Sequence, residues 1–122
     1  MGSNPTTATM ITYELAKELE EKGYSQEGIF DYCYGATTKE LYHYRDWPRR
    51  ADKEFYEVPT LSELIAACGD GFRGVMHPSY SAGWVAQARI SPNSLMLETK
   101  RGDTPEEAVA RLWIALQKYN AL

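Results

Sequence analysis

Apolar residues recur at three- and four-residue spacing in three stretches of this chain and alternate with polar ones in several others, so helices and strands can be placed from pattern alone. Leu15, Ala16 and Leu19 share one face of a helix predicted over residues 13 to 22, with Thr12 as its N-cap and Gly23 suited to the position after its end. Glu14, Glu18, Glu21, Lys17 and Lys22 make up its solvated side. In PTLSELIAACGDG, Thr60 and Glu63 have capping-box spacing, Leu61, Leu64, Ile65 and Cys68 form an apolar seam, and Gly69 ends the helix. The closing stretch RGDTPEEAVARLWIALQKYNAL predicts a third helix, with Thr104 as N-cap, Pro105 at the first helical position and Glu107 completing a capping box. Its buried stripe is Val109, Leu112, Trp113, Leu116 and Tyr119, while Arg111, Gln117 and Lys118 face outward.

Residues 29–34 and 41–44 read as two strands joined by GATTK, a loop of hairpin length. Alternation assigns Phe30, Tyr32 and Tyr34 to one face and Tyr42 and Tyr44 to one face of the partner, an aromatic ladder in a favourable register. EFYEV reads as a short strand returning to that sheet, and three more strands follow at 72–76, 84–90 and 95–99. In the middle one, Trp84, Ala86, Ala88 and Ile90 alternate with Val85, Gln87 and Arg89, so one face is core. The alternating face and the terminal helical stripe need burial, and each is the nearest partner for the other.

These elements predict an α+β fold, antiparallel sheet or sheets with helices packed on one face, in the order α-β-β-(β)-α-β-β-β-α. Residues 12–122 read as a single domain behind a flexible N-terminal tail of residues 1–11. The tail is polar and aperiodic, and Gly2 and Thr6 fit a short myristoylation pattern that nothing else in the chain supports.

Composition sharpens this picture. With 43% hydrophobic and 25% charged residues the chain has the balance of a globular domain. A net charge of −4 argues against chain-wide attraction to phosphate backbones or anionic lipid. No apolar run approaches the roughly 20 residues that span a bilayer, and Cys33 and Cys68 are too few for a disulfide framework, so the expectation is a cytoplasmic protein with no membrane role.

Candidate chemistry is sparse. Nucleophile-elbow, zincin, phosphate-loop, dinucleotide and Cys-x-x-Cys signatures are missing, so the chain is expected to be non-enzymatic, with no cofactor. Cys33, His43, Cys68 and His77 could in principle ligate zinc, but structural zinc sites bring ligands in close pairs and every gap here is wide. Cys33 and His43 share face parity in the proposed hairpin, and opposition across it would make a thiol–imidazole pair. The competing reading is a small buried thiol beside a polar residue, and no third orienting group is identifiable. The loop HPSYSAG could cradle a ligand, although small polar residues suit any hairpin loop.

YHYRDWPRRADK has the composition of a binding surface. Tyr42, Tyr44 and Trp47 offer flat faces, and Arg45, Arg49, Arg50 and Lys53 offer charge for carboxylate or phosphate, diluted by Asp46, Asp52 and Glu54. The segment equally suits a core aromatic cluster beside a solvated loop.

YELAKELEEKGYSQEGIF, PTLSELI and GDTPEEAVARLWIAL, around a Gly-Trp strand, give the chain a resemblance to small phage and prophage accessory proteins. The resemblance spans nearly the whole domain and implies a mobile-element origin; it implies no catalytic or binding residue. Gly102, Asp103, Thr104, Glu106, Glu107 and Ala108 are also similar to the helix start of HicB-type antitoxins, which implies a toxin-binding role as one alternative. From residue 60 the order α-β-β-β-α resembles double-stranded-RNA-binding domains. Those meet phosphate with a lysine-rich helix start, whereas this helix opens Thr-Pro-Glu-Glu. The resulting expectation is a macromolecule-binding protein, with a protein partner in preference to nucleic acid, self-association left open, and the aromatic–arginine segment as its surface.

Overall fold

A computed structural model describes residues 10–24, 31–46, 54–79, 83–90 and 95–120. The tail 1–9, with its myristoylation pattern, lies outside the described residues, as do Ile29, Phe30 and the tip of the HPSYSAG loop. The expected α+β class is found: the described residues form three helices and two three-stranded antiparallel sheets. Within the span read as one domain, the chain forms two compact units, Ile11–Pro59 and Thr60–Leu122.

In the N-terminal unit, helix α1 (Tyr13–Glu21) starts at Thr12, whose side chain accepts the Leu15 N–H, and it buries Leu15, Ala16 and Leu19. Its end is closed by paired bonds, Tyr24 N–H to Leu19 O at 2.9 Å and Gly23 N–H to Glu20 O at 3.0 Å. This closure needs a left-handed residue, which Gly23 supplies at φ 94°. Strands β1 (Tyr32–Gly35), β2 (Leu41–His43) and β3 (Phe55–Val58) form a sheet in the order β2-β1-β3, with α1 packed against β3. A single 3-10 turn, Tyr44–Asp46, follows β2 where the sequence predicted a fourth strand residue.

The register overturns the expected aromatic ladder. Tyr32 pairs with His43 and Tyr34 with Leu41, so Tyr42 stands opposite Cys33 on the other face. Tyr34 instead meets Tyr56 across β3, and the Tyr13 ring of α1 packs edge-on against both, at 5.9 and 5.7 Å between centroids. The polar tips are satisfied locally: Tyr34 Oη donates to Ile11 O at 2.7 Å and Tyr13 Oη to Ala36 O at 3.2 Å.

In the C-terminal unit, α2 (Leu61–Cys68) carries the expected capping box, with Thr60 N–H to Glu63 Oε1 at 2.7 Å and Glu63 N–H to Thr60 Oγ1 at 3.2 Å. Strands β4 (Phe72–Met76), β5 (Trp84–Arg89) and β6 (Leu97–Gly102) pair in sequence order. The last strand runs to Gly102 rather than ending at Thr99, because its ladder continues until Gly102 faces Trp84. Helix α3 (Pro105–Asn120) lies across β6 and β5 and beside α2. Ala108, Val109, Leu112, Trp113 and Leu116 of α3 are buried with Ala86 and Ala88 of β5, the two sides of the expected packing. Thr104 Oγ1 accepts the Glu107 N–H at 3.1 Å, while the Glu107 carboxylate turns along the helix to Arg111 at 2.8 Å.

Two close approaches fix the corner where β6 enters α3. A methyl group at Gly102 would sit 2.5 Å from the Ala108 nitrogen, and one at Gly83 would sit 2.9 Å from the Gly102 oxygen. Far along the helix, Tyr119 Oη donates to Glu98 Oε1 at 2.8 Å, and Lys118 and Lys100 stand 3.7 Å from the same carboxylate. The Tyr119 bond, with the two ammonium groups, holds the Glu98 carboxyl below the usual carboxylate range against the opposing effect of burial.

Gly102→Ala is expected to destabilise the C-terminal unit by about 1–3 kcal/mol, the usual cost of overpacking a tight contact, read as an earlier urea midpoint by tryptophan fluorescence. An unchanged midpoint would show that the corner yields freely. The Glu98 bond has a pH signature: a depressed folded pKa gives stability above the unfolded pKa that is lost as pH falls through the folded one. Tyr119→Phe should therefore lower the urea midpoint at neutral pH, with the gap to the parent closing in acid; a gap independent of pH would contradict this.

Candidate functional site

Of the aromatic–arginine surface expected around residues 42–50, the structure positions one end. Tyr42 Oη donates to Glu40 Oε2 at 2.9 Å and lies 3.3 Å from Thr38 Oγ1, so its hydroxyl is occupied by its own hairpin. Arg45 is exposed, and its backbone N–H donates to His43 Nδ1 at 3.2 Å. Tyr44 contributes backbone to the 3-10 turn. Trp47, Arg49, Arg50 and Lys53 lie outside the described residues.

The thiol–imidazole pairing does not form. Cys33 faces Tyr42 and Glu57, while His43 is one rung away on the opposite face, with its ring 5.4 Å from that of Tyr32. A register shifted by a single residue reverses which side chains share a face. Cys33 and His43 belong to the N-terminal unit, Cys68 and His77 to the C-terminal one, and no cluster of three metal-ligating side chains occurs among the described residues. Burial pushes the Cys68 thiol up to about 11, away from the reactive thiolate form.

The more developed surface is one that sequence reasoning passed over. Helix α3 covers a single face of the β4-β5-β6 sheet. Paired residues in antiparallel strands share a face, so the other side presents Met76, Val85 and Arg101 on one rung, Gly74, Gln87 and Thr99 on the next, and Arg89 with Leu97 at the far end. The ladder slips at Phe72/Gly74, and the residue set in that bulge, Arg73, lines both the trough over the middle rungs and a smaller depression shared with Asp70, Gly71 and Arg89.

Three properties define this face. It is exposed: Met76 and Leu97 keep 59% and 47% of their surface, and the run continues into Met96 at 67% and Leu95 at 89%. Its charge is one-signed, since its strand positions carry Arg73, Arg89 and Arg101 and no carboxylate, in a chain whose net charge is −4. Neither Arg73 nor Arg89 has an ion pair among the described residues. It is also shallow, with a trough of about 220 Å³, below the roughly 300–1,000 Å³ of sites that enclose small molecules.

The signal was present in the alternation of Val85, Gln87 and Arg89, but its meaning depended on which strands flank β5. Arg73 and Arg101 reach the same face only through the bulge and the extended β6 ladder. No family model, curated protein or solved structure matches this chain. Among the described residues, no helix is long and apolar enough to cross a membrane.

Thiol chemistry supplies a direct check on these placements. Cys33, with no exposed surface, should resist iodoacetamide until the protein is unfolded, and the partly buried Cys68 should alkylate more slowly than a free thiol, as read by intact mass. Fast native labelling of Cys33 would contradict its assigned face.

Proposed function

We propose that this protein is a non-enzymatic binding module, of mobile-element origin and acting in the cytoplasm, whose partner is another protein. The observation that carries the reading is the uncovered β4-β5-β6 face, which joins arginine and methionine to small apolar residues and omits Lys, Asp and Glu. Interface cores are enriched in Arg and Met and depleted in those three residues. A face of this kind, on a rigid sheet braced from behind by α3, presents its side chains with little ordering cost.

Nucleic acid is the weaker partner on the same grounds. Sheets that bind single strands use exposed aromatic rings on which bases stack, and none of Arg73, Gly74, Met76, Val85, Gln87, Arg89, Leu97, Thr99 or Arg101 is aromatic. The helix start that meets phosphate in double-stranded-RNA-binding domains here carries Glu106 and Glu107. Self-association through this face is disfavoured because two copies would set arginines against arginines.

Site-specific photocrosslinking in bacterial cells tests the reading. A benzophenone side chain replacing Thr99 or Gln87 should yield discrete protein adducts, and one replacing Lys17 on the solvated side of α1 should not. Adducts of equal yield at all three positions, or none at Thr99 and Gln87, would remove this face as the binding surface.

A further inference from the structure

The chemistry of the partner can be taken further, on the assumption that the uncovered face is the binding surface. We infer that the face takes an extended acidic segment of the partner protein, lying along β5, with one carboxylate at the Arg73–Arg89 end, a second at the Arg101 end, and a small or apolar side chain between them.

The spacing follows from the ladder. Arg89 stands at one end of β5, and Val85, the rung partner of Arg101, stands four residues away. At roughly 3.3 Å per residue the two ends are about 13 Å apart. An extended ligand chain has the same rise, and its side chains at i, i+2 and i+4 point to one side, so acidic groups at i and i+4 reach both ends.

The middle rung determines what lies between. Gly74 has no neighbour within 4 Å of where a methyl group would project, leaving a notch on the β4 side of Gln87, whose Nε2 donates to Thr99 Oγ1 at 3.3 Å on the other side. Met76 and Val85 flank the notch on the Arg101 side. A Val or Thr at i+2 fills such a space, its methyl groups against Met76 and Val85.

Charge decides the class of segment. Two guanidiniums without ion pairs at one end offer planar, forked donors that suit carboxylates. Asp70 at the rim of the smaller depression narrows the cationic zone toward the strands, which favours a ligand whose charges are discrete and spaced over one with a continuous anionic backbone.

The test uses the whole protein and fluorescein-labelled Ser/Thr peptides carrying Glu at i and i+4 with Val at i+2, titrated by fluorescence anisotropy at low ionic strength. The expected result is saturable binding that weakens at least about tenfold when both Glu are replaced by Gln, and by a similar factor when they are moved to i and i+2. The R73E/R89E/R101E protein should lose the Glu peptide and gain one with Lys at i and i+4, a swap that also shows the variant is folded. Absence of saturable binding, equal affinity for Glu and Gln peptides, or equally tight arginine-dependent binding of a single-stranded oligonucleotide would each overturn the inference. If Thr99 still crosslinks to a protein in cells while these peptides fail, the acidic-segment inference falls and the binding-face reading stands; loss of both removes both.

Discussion

The seating of α3 on β5 and β6 is the constraint from which the rest of the C-terminal unit follows. Ala86 and Ala88 are small enough for the helix to come close, and Val109, Leu112, Trp113 and Leu116 fill the space above them. Truncating a side chain as enclosed as Leu112 typically costs about 2–5 kcal/mol, a large share of the stability of a small domain. Gly102 lets the chain turn straight from strand into helix, and Thr104 and Pro105 start the helix at once. The Tyr119–Glu98 bond closes the far end of the same contact. Helix, corner and strand are therefore one mechanical assembly.

That assembly uses up one face of the sheet and leaves the other without a helix. The polar strand residues divide accordingly. Glu98 and Lys100 lie on the helix side, paired with each other, and Glu98 also meets Lys118 and Tyr119 of α3, whereas Arg73, Arg89 and Arg101 lie on the opposite side with Met76, Val85 and Leu97. In a chain of net charge −4, three arginines thus share a sheet face whose strand positions carry no carboxylate. The N-terminal unit makes a different use of its sheet, closing a tyrosine cluster of Tyr13, Tyr34 and Tyr56 against α1.

Local signals in the sequence were readable wherever one turn of chain decides the outcome. Thr12, Thr60 with Glu63 and Thr104 with Pro105 place three helix starts because a cap and its donors are neighbours in sequence. Strand register was not readable, since it is chosen by contacts between segments. One rung separates the expected Cys33–His43 opposition from the observed Cys33–Tyr42 pair, and β6 was cut short because Lys100 and Arg101 look like a turn until their partners on β5 are known. The arginine face needed both kinds of long-range information: a bulge in β4 and the full length of β6. Trp47, Arg49 and Arg50, singled out by composition, lie outside the described residues.

The β4-β5-β6 sheet is covered by α3 on one side and exposes Met76 and Leu97 on the other. Hydroxyl-radical footprinting of the free protein, read residue by residue by mass spectrometry, measures this directly. Met76, Met96 and Leu97 should be modified rapidly, with Val109, Leu112 and Trp113 protected. Protection of Met76 and Leu97 together with rapid modification of Leu112 and Trp113 would mean that the helix does not cover the sheet as described, and the binding face would lose its basis.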